Sequence, residues 1–375
     1  MSDANSIYRY DQVREVHLEV TSRCNAACPM CARNIRGGID NPHLPLADMS
    51  VADAQRIFEP SFIRQLTRMY MCGNYGDPGV APDSLPILNY FRDSNKSVNL
   101  GIHTNGSCRN PKWWSELAGV VDYCQFGIDG LEDTNHIYRR NTKWSQIMEN
   151  AGAFIAAGGK AEWAFLVFLH NEHQVEQARK LSVELGFKRF IVRRTNRFLR
   201  GDAKRSTVQV EDRKGQVETT LEPTTRKELL NPGVEALVEI SRESRALTQY
   251  YDQCAISCMA EKDRRIYVSA EGYVFPCCYT GHVYTANGMG NQISRMLDKL
   301  QGGWRSINAK HSLMREIVEG AFFHDIAASW SKNSMQEGRL RICSEQCGTI
   351  KPTTTVAYLG NTTEHDHSAR LAHQN

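Results

Sequence analysis

The chain has no long apolar run and no marked excess of charge of either sign. Its purely apolar stretches are short, as at 164–169, whereas a membrane span needs roughly 18 to 20 residues. The sequence therefore predicts no membrane partner. The first residues lack the apolar segment of a secretory signal, which predicts a cytoplasmic location. A formal net charge of +3, from 45 Lys and Arg against 42 Asp and Glu, does not by itself indicate a nucleic-acid partner.

Cysteine, in contrast, is abundant. The chain has 12 cysteines among 375 residues, of which 41% are hydrophobic and 23% charged, a composition typical of a globular fold. Because thiol pools keep cytosolic cysteines reduced, we expect metal binding rather than disulfides. Most of the cysteines form two groups, one near each end of the chain: Cys24, Cys28 and Cys31, then Cys254, Cys258, Cys277, Cys278, Cys343 and Cys347.

Strand-like and helix-like segments alternate over the first half of the chain. Val16, Leu18 and Val20 alternate with polar residues, and further strand-like runs lie at 69–72, 98–103, 123–128, 163–169 and 190–193. Helix-like stretches separate them at 51–58, 85–92, 112–117, 145–157 and 174–185. This order predicts an α/β fold with a parallel sheet, whose chemistry lies at the C-terminal ends of the strands.

The patterns divide the chain into four parts. We expect a barrel over 1–198, and we expect a linker with surface helices over 199–250, which is rich in charge, Thr and Glu. A cysteine-rich unit over 251–350 should contain a β-hairpin, with strands at 265–269 and 273–275 around Ala270-Glu271-Gly272. Residues 351–375 predict a flexible tail.

The first cysteine group forms a C-x3-C-x2-C triplet on the loop after the first strand. Three thiolates on one short loop can hold three irons of a [4Fe-4S] cluster, and the fourth iron stays open, as a catalytic metal keeps a vacant position. Zinc is the alternative, and it would require a fourth protein ligand. The nearest histidine, His43, is twelve residues beyond Cys31.

With this triplet, residues 16–194 resemble the radical S-adenosylmethionine (radical SAM) superfamily, whose fold is a partial (β/α)6 TIM-like barrel. Segment 73–78, Gly-Asn-Tyr-Gly-Asp-Pro, resembles that family's Gly-Gly-Glu-Pro segment, and 104–106 and 128–130 resemble its turns after the third and fourth strands. Met30 replaces a commoner aromatic residue, and Asp77 replaces a commoner glutamate. The resemblance implies these S-adenosylmethionine contacts: Gly73, Asn74, Gly76, Asp77, Thr104, Asn105 and, toward the ribose, Asp129.

The resemblance also implies a mechanism. In that family the open iron chelates S-adenosylmethionine, the reduced cluster passes one electron to the sulfonium, and the resulting 5′-deoxyadenosyl radical removes hydrogen from the substrate. The cofactor supplies this chemistry, while the protein orients the substrate and excludes competing reactions. An electron donor such as flavodoxin or ferredoxin is implied.

The second cysteine group predicts another metal site on Cys258, Cys277, Cys343 and Cys347. The first two flank a glycine turn in a C-x13-G-x4-C hairpin, and 343–347 adds a C-x3-C pair. The pattern resembles the SPASM or twitch extensions of radical SAM enzymes and implies one auxiliary [4Fe-4S] cluster, since the C-x2-C-x5-C-x3-C run of a two-cluster SPASM domain is missing. Cys254 and Cys278 are alternate ligands. A structural zinc is the other interpretation, because four thiolates also suit zinc.

Basic residues just past the sixth strand indicate the substrate's charge. Arg193, Arg194 and Arg197 lie at the barrel end where the substrate enters, and guanidinium groups suit a carboxylate or a phosphate. The alternatives are a solvated basic face and a contact to the carboxylate of S-adenosylmethionine. Three functions follow: a radical oxidoreductase acting on an anionic small molecule, a radical enzyme that matures a peptide, and a non-enzymatic zinc protein that binds nucleic acid.

Overall fold

The computed structural model describes residues 7–199, 206–242, 246–285, 291–349 and 362–367. In chain order, the strands of these residues are β1 (Glu15–Leu18), β2 (Arg68–Met71), β3 (Asn99–Thr104), β4 (Tyr123–Gly127), β5 (Ala161–Leu166), β6 (Arg189–Arg193), β7 (Val208–Glu211), β8 (Val217–Leu221), β9 (Arg265–Val268), β10 (Val274–Phe275) and β11 (Thr362–Asp366). The helices are α1 (Val51–Ile57), α2 (Pro60–Gln65), α3 (Ser84–Ser94), α4 (Pro111–Ala118), α5 (Asn135–Tyr138), α6 (Trp144–Ala156), α7 (Val175–Glu184), α8 (Pro232–Ile240), α9 (Ala246–Gln253), α10 (Met259–Asp263), α11 (Gln292–Lys299), α12 (Met314–Val318), α13 (Ala321–Ser329) and α14 (Arg341–Cys347).

One mostly parallel sheet organises the described residues. Strands β1 to β6 are parallel neighbours in chain order, β9 lies parallel to β1 on its other side, and β10 and β11 pair antiparallel at the two ends. Because the parallel strands point the same way, their C-terminal ends meet at one edge, where the site loops emerge. The predicted α/β fold with a partial barrel is confirmed.

Local sequence explains where several helices begin and end. Ser50 and Asp53 form a capping box at the start of α1, and Asn110 caps α4, whose first residue is a proline. After α7, Gly186 adopts a φ of +85°, a conformation that favours glycine and ends helices. The predicted helix positions therefore agree with α1, α3, α4, α6 and α7.

Aromatic side chains fill the layer between the sheet and its helices. Trp114 and Phe154 from the helices contact Phe126 of β4, while Phe187 contacts both Phe126 and Trp163 of β5. All five are fully buried, and burial of one such ring stabilises the fold by about 1.5–3 kcal/mol. This packing fixes the strand ends that carry the site.

The linker prediction is wrong for part of 199–250. Strands β7 and β8 form an antiparallel hairpin, whose Val210 and Leu221 are buried in one cluster with Cys28. The Arg36 guanidinium pairs with the Glu211 carboxylate at 2.7 Å on the outside of the hairpin. The run of exposed residues in β8 lacks the alternation that predicts a strand. Two helices, α8 and α9, follow the hairpin within 199–250.

The end of the chain also differs from the prediction. Within the predicted tail, β11 pairs with β6, and Glu364 pairs with Arg189, so polar residues cover an edge that would otherwise be open. The rest of the tail, 351–361 and 368–375, lies outside the described residues. The predicted hairpin at 265–275 is confirmed as β9 and β10, with Gly272 at a φ of +94°. Since β9 joins β1, the cysteine-rich unit extends the barrel sheet.

Candidate active site and auxiliary metal site

The cysteine triplet lies on the loop that follows β1. Cys28 is buried, Cys24 and Cys31 are partly exposed, and the Cys31 N–H donates to the Cys28 carbonyl at 2.9 Å. Burial raises the pKa of Cys24, and nearby Asp77 and the other two thiols raise it further. The three sulfurs are therefore close enough to interact electrostatically.

Hydrogen-bond donors surround these thiols. The Ala26 N–H donates to Cys24 Sγ at 3.3 Å, and the Asn105 amide donates to the same sulfur at 3.7 Å. The Arg139 guanidinium donates to Cys28 Sγ at 3.9 Å. Burial raises the pKa of Cys28 to about 11, and Arg139 opposes this rise. A donor set of three thiols with N–H groups aimed at their sulfurs fits an iron–sulfur cluster.

Segment 73–78 packs directly against the cysteine loop. Asp77 is buried and accepts from the Thr104 hydroxyl at 2.7 Å, the Asn105 N–H at 2.7 Å and the Gly79 N–H at 2.8 Å. Burial raises the pKa of Asp77 while these hydrogen bonds lower it. Asp77 thus fixes the turn after β3, whose Asn105 contacts a predicted cluster ligand.

Gly73 and Gly76 permit close approach in this segment. A Cβ on Gly76 would lie 1.8 Å from the Thr21 carbonyl oxygen, and one on Gly73 would lie 2.1 Å from the Gly76 carbonyl oxygen. The Asn74 carbonyl accepts from the Cys31 thiol at 3.9 Å. The predicted cofactor segment and the predicted cluster loop are therefore in contact.

Asp129 orients the arginine beside the thiols. One of its carboxylate oxygens accepts from Arg139 Nε at 2.6 Å and the other from the Leu166 N–H at 2.7 Å. Asp129 is buried, and its role toward a ribose stays a prediction. Asp129 also has a structural role, because it positions the Arg139 guanidinium that contacts Cys28.

A cavity of about 760 Å³ lies inside the barrel. Arg193 lines it and donates to Gln125 Oε1 at 2.6 Å, and the Gln125 amide donates to Glu162 at 3.1 Å. Glu162 also pairs with Arg189 at 2.8 Å. The Arg193 side chain is thus fixed by hydrogen bonds that run through Gln125 to Glu162. Other residues that line the cavity are His17, Tyr70, Cys72, His103 and Cys278.

The other two predicted arginines have different surroundings. Arg197 lines the same cavity and donates to the Met30 carbonyl and the Tyr138 hydroxyl, both at 3.2 Å, so it links the cavity to the cysteine loop. Arg194 donates to Thr363 of β11 at 2.7 Å. Among the described residues, those that line the cavity do not include Arg194.

His103 in the cavity wall is linked to two neighbouring side chains. Arg68 donates to the Tyr123 hydroxyl at 2.6 Å, and that hydroxyl lies 3.2 Å from His103 Nε2. Burial lowers the pKa of His103, with a further contribution from nearby arginines, so the ring is neutral.

The four predicted auxiliary cysteines line one small cavity in the C-terminal unit. Trp330 lines it as well, and its buried indole N–H is directed at the Cys343 sulfur. A donor aimed at one of four thiols fits a metal centre whose sulfurs accept hydrogen bonds. The cysteines are Cys258, Cys277, Cys343 and Cys347.

The alternate ligands lie elsewhere. The Cys254 sulfur accepts from Arg339 at 3.8 Å, and a Cβ on Gly348 would lie 2.8 Å from it. Cys278 lines the barrel cavity instead. Within the described ranges, no three His, Cys, Asp or Glu side chains converge on a position for a single metal ion. An iron–sulfur cluster is larger than one ion, and its thiolates stand further apart.

Sequence reasoning missed the polar residues that point into the barrel. Glu19, Gln125 and His103 were not predicted, yet Glu19 holds the 73–78 segment through the Tyr75 and Gly76 N–H groups at 2.7 and 2.9 Å. A signal was present: strand neighbours alternate faces, so a polar residue between core residues of a barrel strand points to the interior.

Comparisons with known proteins bear on this site. The family model described as "Radical SAM superfamily" matches residues 18–182, which include the cysteine triplet, segment 73–78 and the turns after β3 and β4. This part of the chain is therefore similar to radical SAM domains. The match implies a [4Fe-4S] cluster and S-adenosylmethionine, and the triplet and its N–H donors fit that cluster.

Two solved radical SAM structures share the overall fold. SuiB of Streptococcus suis, bound to S-adenosylmethionine, aligns at a TM-score of 0.51 and 14% identity, over 89% of this chain and 72% of that one. The protein anSMEcpe with bound AdoMet aligns at a TM-score of 0.52 and 15% identity, over 92% of this chain and 93% of that one. At these identities the likeness establishes the fold.

A curated relative covers a smaller part of the chain. The tungsten-containing aldehyde ferredoxin oxidoreductase cofactor-modifying protein of Pyrococcus furiosus is 28% identical over 131 residues, 33% of each chain. The alignment thus spans about a third of that relative's length.

No helix in the described part of the chain is long and apolar enough to cross a membrane.

Proposed function

We propose that this chain is a radical SAM enzyme that removes hydrogen from an anionic substrate bound inside the barrel. The observation that carries the proposal is the continuity of the site: Asn74 lines the cavity, and its carbonyl contacts the thiol of Cys31. When bound, the cluster and S-adenosylmethionine supply the 5′-deoxyadenosyl radical. A substrate in the cavity would lie next to the segment that is proposed to hold S-adenosylmethionine.

The chain's own residues have distinct roles in this proposal. Cys24, Cys28 and Cys31 hold the cluster, and Asn105 and Arg139 direct N–H groups at its sulfurs. Such donors favour the more negative, reduced state of a cluster. The buried residues around the loop exclude water from the reacting groups. Flavodoxin or ferredoxin is the proposed electron donor.

Arginines and a neutral histidine support an anionic substrate. Arg193 and Arg197 both line the cavity, and the neutral His103 ring lies in the same wall. Guanidinium and imidazole N–H groups suit a carboxylate or a phosphate. Arg194, on the edge bonded to β11, has no part in this role.

An auxiliary [4Fe-4S] cluster on the C-terminal cysteines belongs to the same proposal. Its support is the cavity that the four thiols share with Trp330, whose buried N–H is directed at the Cys343 sulfur. We therefore propose a twitch-like extension in the cysteine-rich unit, with neither Cys254 nor Cys278 as a ligand.

Peptide maturation is the second candidate. SuiB has been solved with its precursor peptide SuiA, and anSMEcpe with the Cp18Cys peptide, and both share this fold. A peptide carboxylate would satisfy the arginines as well as a metabolite would. A short precursor gene beside this one would favour the peptide, and its absence would favour the small molecule.

Anaerobic reconstitution tests the core of the proposal. The wild-type chain with dithionite should bind about eight irons, two cubanes of four, and release 5′-deoxyadenosine. Changing Cys24, Cys28 and Cys31 to alanine should leave about four irons and abolish that release. Retained 5′-deoxyadenosine in the triple variant would refute the assignment, and stoichiometric zinc without iron would favour the zinc-binding alternative.

The anionic substrate needs a separate test. Replacing Arg193 by Gln should weaken substrate binding roughly 10- to 150-fold, the loss of one charge-assisted hydrogen bond, and leave uncoupled S-adenosylmethionine cleavage intact. The matched control is Arg194→Gln, which removes a neighbouring charge outside the cavity and should change neither. Equal loss of both activities in Arg193→Gln would assign that arginine to the cofactor.

A further inference from the structure

A buried guanidinium lies behind the cavity of the C-terminal cysteines. Arg339 is 4% exposed, and all of these hydrogen-bond acceptors are neutral. The Ser344 hydroxyl accepts at 3.1 Å. The other acceptors are main-chain carbonyls: Tyr251 at 2.9 Å, Trp330 at 2.6 Å, Lys332 at 3.2 Å, and Cys254. Among the ion pairs between described residues, none includes Arg339. Arg341, two positions on, pairs with Glu345 at 2.6 Å.

A buried charge that lacks an opposite charge is costly, because carbonyl dipoles replace only part of the water that solvates it. A negative group near Arg339 would remove that cost. Ser344, which accepts from Arg339, lies on α14 between Cys343 and Cys347. Four thiolates around a metal centre carry net negative charge, and Arg339 is positioned to compensate it.

A second donor faces the same centre. The buried Trp330 indole N–H is directed at the Cys343 sulfur, and Trp330 lines the cavity of the four cysteines. Its main-chain carbonyl accepts from Arg339, so the two residues are joined. An indole nitrogen can only donate, and a cluster sulfur is an acceptor that would satisfy it.

We propose that Arg339 and Trp330 are positioning residues that raise the reduction potential of the auxiliary centre. The inference rests on the proposed auxiliary cluster. Reduction adds one electron to the centre and breaks no bond, so a nearby positive charge and an N–H donor to sulfur favour the reduced state. These two residues would thereby set how readily the centre accepts an electron.

The test measures a potential rather than turnover. In the background in which Cys24, Cys28 and Cys31 are alanine, only the auxiliary centre remains, and its reduction by dithionite can be followed by electron paramagnetic resonance. Arg339→Gln should lower the reduction equilibrium constant at least tenfold, about 59 mV for one electron. Arg339→Lys should restore most of the loss, and Trp330→Phe should give a smaller shift of the same sign.

The matched control is Arg341→Gln, which removes the same charge from α14 where it is paired and partly exposed. It should leave the potential unchanged, and a shift equal to that of Arg339→Gln would overturn the proposal. An unchanged potential in Arg339→Gln would also overturn it. If that variant does not fold, Trp330→Phe decides, and wild-type potential there refutes the role of the N–H.

A different result would refute the proposed auxiliary cluster itself. Zinc in place of iron in the triple-alanine background would refute the auxiliary cluster and with it this inference. Release of 5′-deoxyadenosine by the wild-type chain would still support the radical SAM function. Loss of auxiliary iron in Cys254→Ala would likewise overturn the assignment of Arg339, since its neighbour would then be a ligand.

Discussion

Replacing Glu19 by Gln tests whether a buried carboxylic acid holds the proposed cofactor segment. Glu19 is 2% exposed and accepts from the N–H groups of Tyr75 and Gly76 and from the Tyr267 hydroxyl. Burial raises the pKa of Glu19 from 4.5 to about 7, although these hydrogen bonds lower it. The folded chain therefore keeps a proton that the unfolded chain releases at lower pH.

The sign of the pH effect follows from this difference. Between pH 4.5 and about 7 the folded state binds more protons at Glu19 than the unfolded state, so the free energy of unfolding falls as pH rises. At about 1.36 kcal/mol for each pH unit, the loss over this window is about 3 kcal/mol, and stability is flat above it. Glutamine does not ionise and should not show this loss.

Urea unfolding of the metal-free chain, measured by tryptophan fluorescence at pH 5, 6.5 and 8, compares the two proteins. Relative to wild type, Glu19→Gln should gain about 2.5 kcal/mol between pH 5 and pH 8. All other titrating groups are common to both, so the difference isolates Glu19. As a control, Glu19→Ala leaves two buried N–H groups without an acceptor and should be destabilised at every pH, by about 1–3 kcal/mol for each. Parallel pH profiles of wild type and Glu19→Gln would refute the reasoning.

Three further changes test the site. Cys343→Ala should remove the auxiliary iron, about four atoms, whereas Cys278→Ala should keep it. Iron analysis that finds a loss in both variants would contradict the proposed ligand set. Gly76→Ala should weaken S-adenosylmethionine binding at least tenfold in calorimetry, because its Cβ would lie 1.8 Å from the Thr21 carbonyl oxygen; wild-type affinity would show that the segment adapts. Asp129→Asn should slow 5′-deoxyadenosine release about tenfold, because the arginine that it orients loses a buried ionic partner, and an unchanged rate would remove that role.

The barrel could be predicted from sequence because its signals are local. Val16, Leu18 and Val20 alternate with polar residues, and Ser50 starts a helix through a capping box with Asp53, three residues further on. The cysteine triplet is equally local, since its spacing places three thiols on one loop whatever surrounds it. Periodicity and spacing therefore sufficed for β1 to β6, for five helices and for the position of the three cysteines on the loop after β1.

Elements that depend on distant partners could not be predicted in this way. β11 consists of polar residues, and it is a strand because the edge of β6 is available and Arg189 pairs with Glu364. The hairpin of β7 and β8 is similar, since exposed residues precede the single buried Leu221 in β8. Likewise, separating Arg193 from Arg194 required knowing which of two adjacent residues faces the cavity.

The contacts of segment 73–78 connect the two cysteine sites. Asn74 donates to the Cys278 carbonyl at 2.8 Å, next to the predicted ligand Cys277, and the Tyr75 hydroxyl accepts from the Tyr284 N–H at 3.0 Å. Tyr75 also stacks on His282, with ring centroids 5.4 Å apart. The proposed cofactor segment is therefore hydrogen-bonded to the residues after β10, which include the proposed auxiliary ligand Cys277. Because β9 also pairs with the edge of β1, the cysteine-rich unit extends the barrel sheet, and the conformation of the cofactor segment depends on the folding of both units.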